Sequence, residues 1–251
     1  MKKRLGLIGF PIEHSFSPSF FRNKFELEGL CDWTYDLFPL PSIALLPSFL
    51  KECSHLVGFN VTIPHKQSIL PYLDHIHHDA FTVGAVNTVS ISDRGLIGYN
   101  TDINSFYEVL TGLKDIGRVQ RALVLGTGGA SKAVCFVLSK LGIHWSSVSR
   151  SYSHGQFTYA DLTKPIMSDH NLIIQTTPLG MYPHVDTFPH IPYDAINDRH
   201  ILVDLIYNPE ETIFLREGKK RGASTCNGLE MLYLQAEKSW QIWTNPNENQ
   251  Y

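Results

Sequence analysis

Three short polar segments stand out because each directly follows an apolar run: His14-Ser15-Phe16-Ser17-Pro18, Gly58-Phe59-Asn60-Val61-Thr62-Ile63-Pro64-His65-Lys66, and Gly98-Tyr99-Asn100-Thr101-Asp102. Ligand sites of open α/β sheets gather at such strand ends, where a rigid element holds short hydroxyl and amide side chains. Two of the segments end on opposite charges, Lys66 and Asp102. An amine beside a carboxylate can hold and deliver a proton if the fold brings the two together; otherwise they form a surface ion pair worth little. A fourth segment, Gly126-Thr127-Gly128-Gly129-Ala130-Ser131, lies between the apolar run Arg121–Leu125 and a helical stretch from Lys132 to Leu141. In that setting Gly126 permits a tight turn and Gly128 lets the backbone approach a pyrophosphate. The helix start adds free N–H groups and a positive dipole end. Ser131 stands where a third glycine is usual, so this motif alone leaves a structural turn open.

Charge then separates two dinucleotides. Between Asp115 and Asp161 there is no acidic residue, and Arg150 ends the next strand with Ser149 and Ser151 beside it. An acidic residue here would bind the ribose 2′-hydroxyl of NAD, whereas a guanidinium engages a 2′-phosphate through two parallel hydrogen bonds. NADP is the expected cofactor.

The elements needed to position these residues are legible from periodicity and punctuation. Strands are expected at Leu5–Phe10, Thr34–Phe38, Val57–Ile63, Val83–Ile91, Leu96–Tyr99, Arg121–Leu125, Trp145–Ser149, Leu172–Gln175 and Ile201–Leu205. Helices are expected at Phe20–Leu30, Ile43–Cys53, Ile103–Leu113, Lys132–Leu141 and Met231–Trp243, followed by a loosely ordered polar tail, 244–251. Asp93-Arg94-Gly95 reads as a hairpin turn, and Gly155, Tyr159 and Pro165 should interrupt any helix between Arg150 and Thr176. Alternating strands and helices give an α/β fold with a mixed sheet.

Composition narrows the class. A chain of 251 residues, 43% hydrophobic and 18% charged, suits one large or two modest folded domains. No apolar run approaches the roughly 20 residues of a membrane helix, and a cytoplasmic protein is expected. The net charge of −3 gives no footprint for nucleic acid. Four separated cysteines, Cys31, Cys53, Cys135 and Cys226, read as buried thiols. Asp74-His75-Ile76-His77-His78-Asp79 reads as a solvated helix or loop, and no metal is expected.

At this point the sequence resembles the shikimate dehydrogenases over nearly its whole length. The motifs are HSFSP (14–18), GFNVTIPHK (58–66), VGAVNTV (83–89), GYNTD (98–102), LVLGTGGASKAV (123–134), TTPLGM (176–181), DLIYNP (204–209) and NGLEMLYLQ (227–235). The resemblance implies two domains: residues 1–102, completed by a C-terminal helix within 228–251, binding substrate, and a Rossmann-like NADP-binding domain over 103–227. It implies Lys66 and Asp102 as the catalytic pair in the reversible NADPH-dependent reduction of 3-dehydroshikimate to shikimate, in the chorismate route to aromatic amino acids. It implies that Ser15 and Ser17 hold the substrate carboxylate, with Asn60, Thr62, Asn87, Thr101, Tyr207 and Gln235 around the rest of the substrate. For the cofactor it implies Gly126, Gly128, Gly129, Ala130, Ser149, Arg150, Ser151, Thr177 and Gly228. A monomer or homodimer is expected, with no membrane or nucleic-acid partner.

The match departs from the family pattern in two places. Phe21-Arg22 replace His-Asn after the Ser-Pro motif, which should alter helix packing or an interface and not the chemistry. Ser149-Arg150-Ser151 replace Asn-Arg-Thr, with His154 in place of a second basic residue and a shorter segment following, which should give a shallower adenosine pocket, a weaker NADP preference and phosphate binding sensitive to pH through His154. The rival readings are a quinate/shikimate dehydrogenase using NAD, a dehydrogenase for an amino-substituted or benzoate-like substrate, and a non-catalytic ligand sensor on the same fold.

Overall fold

The computed structural model describes residues 2–245. The chain divides into two compact units: residues up to Asn104 together with those from Tyr233 onward, and Ser105–Leu232. Each unit carries one six-stranded sheet.

The first unit contains β1 (Lys3–Gly9), α1 (Ser17–Leu27), β2 (Trp33–Pro39), α2 (Leu46–Glu52), β3 (Gly58–Val61), β4 (His75–Ile76), α3 (His78–Val83), β5 (Thr88–Ser92) and β6 (Gly95–Tyr99). Its strands run in the order β2-β1-β3-β5-β6-β4. β1 pairs in parallel with both β2 and β3, while β3–β5 and β5–β6 are antiparallel, so the sheet is mixed. β3 is buried along its whole length, and it delivers Asn60 and the Lys66 loop from the middle of the sheet. One face covers Ile8, Leu46, Phe59, Val61, Ile69 and Val89. A second cluster joins Leu5, Phe21 and Phe25 to Ala236, Ile242 and Trp243 of the C-terminal helix. There Phe21 stacks on Tyr35 at 4.3 Å, and the Trp243 indole N–H donates to the Val89 carbonyl at 2.9 Å. Gly58 makes that docking possible, since a Cβ there would lie 2.3 Å from the indole nitrogen.

The second unit contains β7 (Arg121–Leu125), α5 (Gly129–Lys140), β8 (His144–Ser149), β9 (Phe157–Thr158), α6 (Lys164–Asp169), β10 (Leu172–Gln175), β11 (Ile201–Asp204), α7 (Ile213–Lys219) and β12 (Ser224–Cys226). The order β12-β11-β10-β7-β8-β9 with every pairing parallel is a doubly wound sheet. β10 is entirely buried, and β7 is buried beyond Arg121, as the continuous apolar runs of a parallel sheet require. The division between units falls inside α4 (Thr101–Gly112) and α8 (Leu229–Thr244).

Several expectations are corrected. Residues 83–87 are not strand: α3 extends through Val83, Gly84 closes it at φ +67°, and the strand starts at Thr88. The acidic-histidine run is neither wholly helix nor loop, because His75–Ile76 pair with β6 and the helix starts at His78. α1 begins at Ser17, three residues early, with Pro18 in its first turn. Pro165 does not break a helix either; it opens α6, where its missing N–H costs nothing. α7, β9 and β12 had no clear periodic signal because they are two to seven residues long. Cys31 is exposed and the other three cysteines are only partly buried. The tail expected over 244–251 lies, from 246 on, outside the described residues.

Candidate active site

Lys66 and Asp102 meet. The loop after β3 presents Lys66, and the Val86 N–H pins its backbone by donating to the Lys66 carbonyl at 2.8 Å. Asp102 sits in the first turn of α4, directly after β6. The ammonium donates to Asp102 Oδ2 at 2.7 Å, with the two side chains 19% and 10% exposed. Such a pair is sheltered enough to be fixed, yet open enough to reach a small molecule.

Asn87 fixes the carboxylate from the other side. Its Nδ2 donates to Asp102 Oδ1 at 2.8 Å and to Thr101 Oγ1 at 3.0 Å, while its Oδ1 accepts the Thr101 backbone N–H at 2.8 Å. That backbone donor allows only one orientation of the amide. Four residues that the sequence singled out are thus one connected unit: Lys66, Asp102, Asn87 and Thr101. Asn60 lies behind them. It is 5% exposed, its Nδ2 donates to Asn87 O, Thr88 Oγ1 and Ser239 Oγ, and its Oδ1 accepts from the Tyr35 hydroxyl at 2.8 Å. The expectation that Asn60 faces a ligand is therefore corrected: both ends of its amide already serve the interior. Thr62 is half-buried beside Gly9, where a Cβ would lie 2.4 Å from its methyl. Ser15 and Ser17 are half-buried at the start of α1, with the Ser17 N–H donating to Ser15 Oγ at 3.3 Å. Gln235 is half-buried on α8.

Sequence reasoning missed Tyr35, Thr88 and Ser239. Burial pushes the Tyr35 phenol far up, an effect that the Ser17 side chain partly offsets. Only Thr88 lay inside a quoted motif; the other two carry no local signal, because their partners lie 25 and 179 residues away.

The second unit holds the glycine turn. Gly126 has φ +114°, and a Cβ there would meet Thr176 Oγ1 at 2.6 Å and Thr177 Cγ2 at 2.9 Å, so only glycine fits. Gly128 is the N-cap of α5 and has no side-chain cap; a Cβ there would meet open space. An exposed helix start without a cap, led in by Gly126, Gly128, Gly129 and Ala130, suits an anionic pyrophosphate. Ser131 is buried and donates back to the Gly128 carbonyl at 2.7 Å, which explains a hydroxyl in place of the third glycine. Thr177 faces Gly126 from the end of β10, with its hydroxyl donated to Gln175 Oε1 at 2.9 Å.

Arg150 is exposed at the end of β8 and makes no ion pair among the described residues. Ser151 is exposed too, but Ser149 is buried and its hydroxyl bonds within the loop to the Ser151 carbonyl. Ser149 is thus a loop brace, not the open hydroxyl the sequence suggested. His154 is exposed, its N–H donating to the Ser151 carbonyl at 3.2 Å. Asp161, the first acid after Arg150, folds back on this loop. It accepts from Tyr152 at 2.6 Å and from Thr158 N at 2.6 Å, and these donors hold its carboxyl below the ordinary range. Its oxygens serve the loop. Gly228 is buried where a Cβ would lie 2.1 Å from the Leu205 carbonyl oxygen, so its glycine is explained by close backbone approach. Tyr207 is half-buried in the loop after β11. No group of three or more metal-ligating side chains converges among the described residues, and no described helix is long and apolar enough to cross a membrane.

A profile of the family "Shikimate dehydrogenase substrate binding domain" matches residues 7–89. The shikimate dehydrogenase (NADP(+)) of Methanococcus aeolicus is 39% identical, over 96% of this chain and 92% of that enzyme. Among solved structures, a shikimate dehydrogenase in complex with NADP+ is 35% identical with a TM-score of 0.84, covering 97% of this chain and 90% of its own. The Thermus thermophilus shikimate 5-dehydrogenase, solved with NADP(H) and shikimate, is 31% identical with a TM-score of 0.83, covering 96% and 93%. Likeness of this extent, carried through both units, places the chain in the shikimate dehydrogenase family.

Proposed function

We propose that the protein catalyses the reversible NADPH-dependent reduction of 3-dehydroshikimate to shikimate, a step toward chorismate and the aromatic amino acids. The observation that carries this reading is the 2.7 Å contact between Lys66 and Asp102, held in a hydrogen-bonded frame by Asn87. NADPH, when bound, supplies a hydride to the carbonyl carbon. Lys66 then donates a proton from its ammonium to the oxygen that becomes a hydroxyl, and its charge stabilises that oxygen as negative charge develops. Asp102 keeps the ammonium aimed and accepts a ring hydroxyl. In the oxidation direction Lys66, as the free amine, accepts the proton.

Ser15 and Ser17 would hold the substrate carboxylate, with Thr62, Asn87, Thr101 and Gln235 toward its hydroxyls. A site built from neutral hydrogen-bonding groups rejects analogues that leave them unpaired. The turn Gly126–Ala130 would take the pyrophosphate, and Arg150 with Ser151 the 2′-phosphate; Arg150 is open to solvent and makes no ion pair among the described residues, as a phosphate ligand should be. The reading divides labour between the two units, substrate on the first and NADP on the second, in a cytoplasmic enzyme without a metal.

The test is a spectrophotometric assay of shikimate and of quinate, each with NADP+ and with NAD+. Turnover of shikimate with NADP+ should dominate. Absence of any shikimate oxidation would overturn the reading, and equal use of NAD+ would remove the role given to Arg150.

A further inference from the structure

We propose that Ser239 is a positioning residue for this reaction: its buried hydroxyl sets the direction of the hydrogen bonds that end on Asp102, and ties the Gln235 turn of α8 to them. The inference rests on the proposed function and extends it to a residue that would not touch substrate.

Ser239 is fully buried, on the same face of α8 as Gln235 and one turn beyond it. Its Oγ donates to the Gln235 carbonyl at 2.9 Å, accepts from Asn60 Nδ2 at 2.9 Å, and lies 2.8 Å from Thr88 Oγ1 and 3.4 Å from Thr101 Oγ1. A serine hydroxyl has one proton and two lone pairs. With the proton on the Gln235 carbonyl and one lone pair taken by the Asn60 amide, the remaining lone pair receives the Thr88 proton. Thr88 otherwise has Asn87 Oδ1 as its acceptor at 3.1 Å. Drawing that proton to Ser239 leaves Asn87 Oδ1 for Thr101, whose hydroxyl is 3.2 Å away and whose backbone N–H is 2.8 Å away. Asn87 is then held squarely by Thr101, and its Nδ2 delivers one N–H to Asp102 Oδ1 at 2.8 Å. While Ser239 is present, the Thr88 proton has an acceptor other than Asn87 Oδ1.

Removing the hydroxyl has two consequences. The Asn60 amide is left with Asn87 O and Thr88 Oγ1 as acceptors, and the Thr88 hydroxyl with Asn87 Oδ1. Thr88 then turns to Asn87 Oδ1 and competes with Thr101. Asp102 loses its fixed angle to Lys66, and the Gln235 carbonyl loses the Ser239 link to the sheet.

Ser239→Ala should therefore lower kcat/KM for shikimate by about tenfold or more, the scale on which a small misplacement of a catalytic group acts. Both kcat and shikimate KM should change, KM for NADP+ should stay near the wild-type value, and the pH–rate profile should shift because Asp102 is held differently. Ser239→Cys, close in size but a poor hydrogen-bonding partner, should show the same pattern more weakly, and it stands in if the alanine variant does not fold. A lower Tm in either folded variant, with kcat, shikimate KM and the pH–rate profile at wild-type values, would overturn the proposal and leave Ser239 a packing residue. Wild-type enzyme assayed in parallel separates the two claims: a wild type inactive on shikimate defeats the functional reading itself.

Discussion

An ammonium 2.7 Å from a carboxylate is ordinary on a protein surface and consequential when four-fifths or more of each side chain is covered. Lys66→Ala should lower kcat by about 10²–10⁴ with little change in shikimate KM, because the lost proton donor acts mainly as charge develops; steady-state kinetics with kcat near wild type would reject the assignment. Arg150 poses the opposite case, a charge with no ion-pair partner among the described residues. Arg150→Ala should raise KM for NADPH while leaving KM for NADH unmoved, and an unchanged preference between the two would remove its role. At this scale the sequence was informative where chemistry is local: Lys66, Asp102, Asn87 and Thr101 all lie in motifs and all converge. It misled at Asn60 and Ser149, whose polar groups look available in a linear reading. Whether an amide faces a ligand or the interior is decided by long-range partners such as Tyr35 and Ser239.

The turn from β7 into α5 shows how one element separates two reasons for glycine. Gly126 has a positive φ and is crowded, whereas Gly128 has neither feature. Gly126→Ala should cost roughly 1–3 kcal/mol of stability through its positive φ and its clash with Thr176. Gly128→Ala should leave Tm unchanged yet raise KM for NADP+, since its methyl would occupy the space a pyrophosphate needs. Thermal melts and cofactor titrations of the pair decide this; equal melting losses would defeat the distinction. Element types were largely legible because a parallel sheet writes continuous apolar runs and helices end on glycine. Boundaries were less so. The run VGAVNTV has the residue types of a strand, but Ala80 and Val83 are buried as a helix face, and Gly84 ends that helix. Propensity yields to such packing.

Across the whole molecule, one buried carboxylic acid links fold stability to pH. Asp204, at the end of β11, has no exposed surface; burial pushes its pKa from 3.8 up to about 7, opposed by hydrogen bonds from Thr212 at 2.6 Å and Ile206 N at 3.0 Å. Between these two values the unfolded chain releases the proton and the native protein keeps it. Stability is therefore intact below pH ~4 as far as this group is concerned, and falls as pH rises toward 7, by about 4 kcal/mol at most. Asp204→Asn can keep a partner at each oxygen position without ionising. Its Tm relative to wild type should climb between pH 5 and pH 8, and a constant difference across that range would show that Asp204 does not titrate there. The two-unit organisation has a consequence for synthesis. The aromatic cluster of the first unit needs Ala236, Ile242 and Trp243, so a ribosome that has released the first hundred residues has not yet made the wall they pack against. The second unit, continuous from Ser105 to Leu232, can close while the chain is still being made. The first unit's strands, made before those of the second, must wait for α8, and until then the apolar face it covers stays open.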